Sequence, residues 1–147
     1  MSESIDQSDA VAISKEYFRR LDAGNPNFVE LFTEDAQIFF PKFGVGKGKE
    51  ALFELGSGLT KVLASVTHDI DSFLYLVSGN YLTVEGTTRG TTKSGTHWSG
   101  GKTPGGRFCS VFEFSGTLIS RMHIYLDPDY GSDDDVRFLW GRDGRKW

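Results

Sequence analysis

Two patterns along the chain predict an α+β domain with its helices first and an antiparallel sheet after them. Apolar residues recur at helical spacing as far as Leu63, and from Val66 to Asp127 they alternate as in strands. The later segments follow one another through short glycine turns, which joins neighbours antiparallel rather than through crossover helices. At 147 residues, with no repeat and no linker-like stretch, the chain fits one core-bearing domain.

Residues 1–8 are polar and are expected to be a disordered N-terminus ahead of a domain over 9–130. Ser8 or Asp9 is placed to cap a first helix whose apolar side carries Ala10, Ile13, Tyr17 and Leu21. Gly24 stops it, and Asn25-Pro26 reads as cap and first turn of a short second helix holding Phe28, Leu31 and Phe32. A short strand over 36–40 ends at Pro41. A glycine-rich connection, 43–49, leads to a third helix bearing Leu52, Leu55, Leu59, Val62 and Leu63 on one side. Four strands are expected after it, over 66–77, 81–91, 107–114 and 117–127, with a glycine-rich loop at 94–106. The tail, 131–147, ends its acidic run before Phe138, Leu139 and Trp140 and is expected to pack back on the body.

Alternation divides the last strand. Ile119, Arg121, His123, Tyr125 and Asp127 fall on one face, and Met122, Ile124 and Leu126 on the other. Polar groups mixed with aromatics suit the wall of a ligand cavity, so the first set is expected to face one. An apolar set on the opposite face needs a cover, and a second copy of the chain, giving a homodimer through the outer sheet face, is the economical one.

Composition removes several function classes. A formal charge of -4 and a pI near 5.3 leave no basic face for nucleic acid; the short basic cluster at Arg142, Arg145 and Lys146 is the exception. No apolar run is long enough to span a membrane, and no basic segment precedes an apolar one at the start. Cys109 is the one cysteine and sits in an aromatic strand, where packing explains it; a reducing cytoplasm is the expected location. Gly44 to Lys49 precedes a helix as phosphate loops do, but Glu50 stands where Ser or Thr is required. His68, His97 and His123 lack metal-ligand spacing, and Pro128 interrupts the acidic run at Asp127, Asp129 and Asp133. Neither a metal nor another cofactor is expected, and no nucleophile elbow is present.

General acid/base chemistry in a pocket remains. Asp127, at the end of an aromatic strand, would have a raised pKa if desolvated, and His68 could act as its complementary group. The bland alternative makes Asp127 a turn residue beside Pro128 and His68 a hydrogen-bonded core histidine.

Several landmarks then give a family likeness: Tyr17-Phe18 before Leu21-Asp22-Ala23-Gly24-Asn25, then Leu31-Phe32-Thr33-Glu34-Asp35-Ala36 and Gly48-Lys49-Glu50-Ala51. Thr67-His68-Asp69-Ile70, Gly95-Thr96-His97, Gly105-Gly106-Arg107 and the strand from Ile119 to Asp127 complete the set. In order and spacing, over about 10–130, the chain resembles the nuclear-transport-factor-two-like superfamily, and within it the SnoaL-like polyketide cyclases. The resemblance implies a cone-shaped, cystatin-like fold: three N-terminal helices on a curved antiparallel sheet enclosing a pocket for a small hydrophobic ligand. It implies cofactor-free chemistry, an aldol cyclisation, isomerisation or dehydration, with Asp127 as the proton-exchanging acid/base. His68 is similar in position to a pocket histidine of scytalone-dehydratase-like relatives. His123 would help polarise a carbonyl and Tyr17 would donate a hydrogen bond. Phe40, Trp98, Phe108, Ser110, Phe112, Arg121 and Tyr125 are the expected pocket lining. Arg121 and His123 stand where the cyclases usually have an acidic residue and a Trp. Ketosteroid isomerase is a more distant relative; Tyr17 looks like its oxyanion Tyr, but Phe40 before Pro41 replaces its base, and Ser110 its neutral acid. The same fold also serves non-catalytic ligand-binding or dimerisation modules.

Overall fold

The computed structural model describes residues 3–138. Asp6 caps helix α1 (Gln7–Asp22), accepting from the amides of Ser8 at 2.9 Å and Asp9 at 3.3 Å, so the helix starts ahead of Ser8 and Asp9. Ile5 donates its amide to Asn80 Oδ1 at 2.8 Å, which places ordered chain inside the N-terminal stretch expected to be disordered. Asn25 caps the short 3-10 turn Pro26–Leu31. Helix α2 runs over Gly48–Val62 and ends one residue early, because Leu63 is already extended and begins a strand. Val62 is therefore exposed rather than packed.

The described residues form eight strands, in chain order β1 (Phe32–Phe40), β2 (Gly44–Lys47), β3 (Leu63–His68), β4 (Leu74–Ser78), β5 (Tyr81–Thr92), β6 (His97–Ser99), β7 (Arg107–Ser115) and β8 (Leu118–Leu126). The glycine-rich connection after Pro41 holds β2, and the expected loop at 94–106 holds β6. The expected single strand over 66–77 is two, broken by a 3-10 turn at Ile70–Ser72. The sheet order is β2-β1-β8-β7-β5-β3, with β4 and β6 also paired to β5. The sheet is mixed, not purely antiparallel, since β1 lies parallel to β8, Ile38 opposite Met122. The architecture is the expected α+β cone: helices over the concave face of a curved sheet.

One strand makes the curve. The first part of β5 pairs with β4 and β7, and from Thr88 onward it pairs with β3 and β6. Gly86 and Gly90 flank that change of partners. A Cβ on Gly86 would enter the Phe73 ring, and one on Gly90 would meet the Ser65 carbonyl and the Trp98 indole. The missing side chains let both aromatics lie directly on the strand.

The concave face is packed with aromatic rings. Tyr17 and Phe18 from α1 meet Phe112 of β7 at centroid distances of 5.8 and 6.1 Å, edge to face. Phe32, Ile38, Leu82, Val84, Ile119 and Met122 complete the core at 1 % exposure or less. Ile119 and Met122 share this face although they are three apart. An extra residue, Ser120, bulges β8 and donates to the Glu113 carbonyl at 3.1 Å. No helix among the described residues is long and apolar enough to cross a membrane. Leu139, Trp140, Arg142, Arg145 and Lys146 lie outside the described residues.

Candidate functional site

Between the end of α1, the inner side of α2 and the concave sheet lies a cavity of about 500 Å³. This volume is in the range that accepts a small organic molecule. Its walls are mostly apolar. Leu55 and Leu59 come from α2, Phe108 from β7, and Met122, Ile124 and Leu126 from β8.

That last strand reverses the expected faces. Met122, Ile124 and Leu126 look inward because they pair with Phe112, Ser110 and Phe108 of the inward row of β7. Arg121, His123 and Tyr125 consequently lie on the outer face. There His123 Nε2 meets Gln37 Oε1 at 2.8 Å and its Nδ1 meets Arg121 Nη2 at 3.1 Å. Tyr125 is 47 % exposed and packs on Phe39. Burial, with the Arg121 guanidinium beside it, holds His123 below the ordinary histidine range. Asp127 is exposed, and its carboxylate accepts the Asp129 amide at 2.9 Å in the turn around Pro128. None of these four residues reaches the cavity.

The remaining expectations divide. Tyr17, Phe40, His68, Phe108 and Ser110 are on the wall. Phe112 is sealed in the core behind it, under Tyr17 and Phe18. Trp98 is buried in a second small cluster with Leu63 and Tyr130, its Nε1 donating to Thr88 Oγ1 at 3.1 Å. It supports the wall without forming it.

The chemically distinctive part of the wall is a pair. Asp22, the last residue of α1, accepts the His68 backbone amide through Oδ2 at 2.8 Å and faces His68 Nδ1 through Oδ1 at 2.5 Å. A carboxylate oxygen accepts, so Nδ1 is the donor of this contact, and the neutral form of the ring has its lone pair on Nε2. Phe18, Phe108 and Phe73 surround the imidazole at 4.8, 5.6 and 6.4 Å. The two side chains are 11 % and 18 % exposed, so water competes little for this contact. Asp69 points elsewhere, binding Arg89 and the Thr87 hydroxyl. Tyr17 belongs to the same wall; burial first, then the Asp22 carboxylate, pushes its phenol well above the ordinary value, so it remains a hydrogen-bond donor.

Asp22 was legible only as a landmark, although one signal marked it. A carboxylate in the last turn of a helix opposes the helix dipole and needs a compensating partner. The amide and imidazole of position 68 supply one.

The family model of the SnoaL-like domain matches residues 14–122, which include Tyr17, Asp22, His68, Phe108 and Ser110. The chain belongs to the SnoaL-like family. This SnoaL-like chain also shares its fold with solved structures of low identity. A proposed polyketide cyclase from Xanthomonas campestris pv. campestris aligns at TM-score 0.71 and 11 % identity, over 82 % of this chain and 92 % of that one. A nuclear-transport-factor-two-like protein from Anabaena variabilis aligns at TM-score 0.69 and 21 % identity, over 89 % and 97 %. TerC, co-crystallised with polyporic acid, aligns at TM-score 0.69 and 15 % identity, over 81 % and 92 %. No curated protein matches the chain.

Proposed function

We propose that the cavity performs cofactor-free acid/base chemistry on a small hydrophobic carbonyl compound, with His68 as the base. The observation that carries this reading is the His68–Asp22 contact in an otherwise apolar wall. Nε2 of His68 takes a proton from the carbon beside a carbonyl. The C–H electron pair moves into an enolate, whose oxygen accepts a hydrogen bond from the Tyr17 hydroxyl. In a ketone with a neighbouring C=C bond the enolate extends over that bond, and returning the proton to its far carbon moves the double bond, an isomerisation. Attack of the enolate carbon on a second carbonyl gives an aldol ring, the new alkoxide taking the proton from the imidazolium. The SnoaL-like family and the fold's likeness to a proposed polyketide cyclase support the second outcome. Asp127 has no part in either step. TerC, with polyporic acid, supports reading the cavity as a small-molecule site.

The common first step is testable without the natural substrate. In deuterium oxide, the protein is expected to speed exchange of the acetyl protons of para-acetylbiphenyl, saturably and above the buffer rate, followed by mass spectrometry. Binding without exchange would make the protein a ligand-binding module instead. Absence of binding would remove the small-molecule reading.

We further infer that a second copy of the chain covers the outer sheet face. Leu76, Thr83, Val111, His123, Phe39 and Val45 form a row there across the paired strands, and Leu76 and Val45 are 56 % and 64 % exposed. The same face carries Glu113 beside Arg121, charges of both signs that suit self-association. Sedimentation is expected to give a dimer, and Val111→Asp a monomer with the same circular dichroism spectrum. A monomeric parent protein would reject this interface.

A further inference from the structure

Two buried hydroxyls distant from the cavity are spent on the protein itself. Ser14 donates to the Val11 carbonyl at 2.8 Å, and Thr92 bonds Ser94 Oγ at 2.8 Å. Thr88, at the cavity wall, is also spent, receiving Trp98 Nε1. Three others on that wall are different. Tyr17, Ser110 and Tyr130 are 4 %, 2 % and 8 % exposed, and none of their hydroxyls has a hydrogen-bond partner among the described residues. They are not sealed in the protein interior either; Thr33 Oγ1 is the enclosed side-chain oxygen without a partner among those residues. Buried polar groups are nearly always paired, so three unspent hydroxyls on one cavity wall point to acceptors that the protein does not provide.

Their placement is uneven. Ser110 lies between Phe108 and Phe112 on the inward row of β7. Phe108 touches the His68 ring and Phe112 the Tyr17 ring, so Ser110, Tyr17 and His68 serve one region. Tyr130 stands apart. Its ring lies on Trp98 at a centroid distance of 4.7 Å, in the cluster with Leu63. Gly105 approaches its backbone so closely that an added Cβ would be 3.2 Å from the Tyr130 Cα. Trp98 thus holds the face of the ring, and Gly105 the main chain that carries it. Charge is equally uneven: among the described residues no Lys or Arg lines the cavity, and its one carboxylate, Asp22, is engaged by His68. A phosphate- or carboxylate-bearing ligand would enter without a counter-charge.

We propose that Tyr130 forms a second acceptor-binding subsite, so that the ligand is an uncharged aromatic compound with two separated carbonyl or ether oxygens, one for the Tyr17–Ser110 region and one for Tyr130. This rests on the reading of the cavity as a small-molecule site. Burial pushes the Tyr130 phenol up to about 12, which keeps it a donor across the physiological range. A ligand with one oxygen leaves one of the two regions unpaired, and the apolar stretch between them accepts the ring. Tyr130 is therefore a specificity-determining residue, not a proton-transfer group.

The test uses three probes of one shape: biphenyl, para-acetylbiphenyl and para,para′-diacetylbiphenyl, titrated calorimetrically against the full chain. The diacetyl compound is expected to bind about fivefold more tightly than the monoacetyl compound, the worth of one neutral hydrogen bond. Tyr130→Phe, which keeps the ring on Trp98, is expected to erase that advantage. Equal affinities for the two ketones, or a diacetyl advantage that survives Tyr130→Phe, would overturn the second subsite while the cavity reading stands. If none of the three binds, the cavity reading itself falls. A charged control, biphenyl-para-carboxylate, is expected to bind more weakly than the monoacetyl ketone; tighter binding would overturn the uncharged ligand class.

Discussion

His68→Gln is expected to lower the rate of ketone proton exchange by at least about a hundredfold, the usual loss when a positioned base is removed. The glutamine amide has no basic lone pair of comparable strength, yet it fits among Phe18, Phe73 and Phe108, so the melting temperature should move little. Asp22→Asn separates positioning from basicity. Asp22 accepts two hydrogen bonds from position 68, through different oxygens. An asparagine has a single acceptor oxygen, and its amide group would face whichever donor that oxygen leaves. If the oxygen stays with the backbone amide, the ring is driven into the tautomer with its proton on Nε2, which cannot act as a base. The expected signature is a fall in kcat of similar size with KM almost unchanged. Asp127→Asn is expected to leave both constants alone, since that carboxylate is confined to the turn before Asp129. Full exchange by the His68 variant, or its loss in the Asp127 variant, would reject the assignment of the base.

The second large effect concerns stability. Gly90→Ala is expected to cost about 3 kcal/mol or more, because the new methyl group meets the Ser65 backbone as well as the Trp98 ring. A main-chain oxygen in a paired strand cannot move aside as a side chain can. For a chain of this length that corresponds to a fall of roughly 10 °C in melting temperature. Gly58→Ala makes a useful contrast. It lies within α2, a Cβ there meets nothing within 4 Å, and the exchange should add up to about 1 kcal/mol through helix propensity. If thermal melts showed both substitutions to be neutral, the close contact between β5 and its neighbours would be disproved.

The helices were legible because their apolar spacing is set locally, as at Tyr17 and Leu21 or at Leu52 and Leu55. So were β5, β7 and β8, which are bounded by glycine turns. The parallel partnership of β1 with β8 was not, since strands so far apart in sequence carry no local mark of their pairing. The division of β8 into two sets was partly right: Arg121, His123, Tyr125 and Asp127 do alternate with Met122, Ile124 and Leu126. Which set faced inward was not decided by alternation, because both contain large apolar groups. The bulge at Ser120 also moved Ile119 from the expected set to the other side. That reversal displaced Asp127, His123, Arg121 and Tyr125 from the pocket together. The position of His68 on the cavity wall was legible from its place on a strand candidate and from the resemblance to relatives with a pocket histidine. Its partner lay 46 residues earlier at a helix end, where only the three-dimensional fold brings them together.

One carboxylate, Asp22, both fastens the last turn of α1 to the main chain of β3 and orients the imidazole. Helix ends loosen more readily than the middle of a sheet. On the proposed acid/base reading, the His68–Asp22 arrangement has a shorter lifetime than the folded molecule around it, and proton-exchange activity should decay on warming before the cone comes apart.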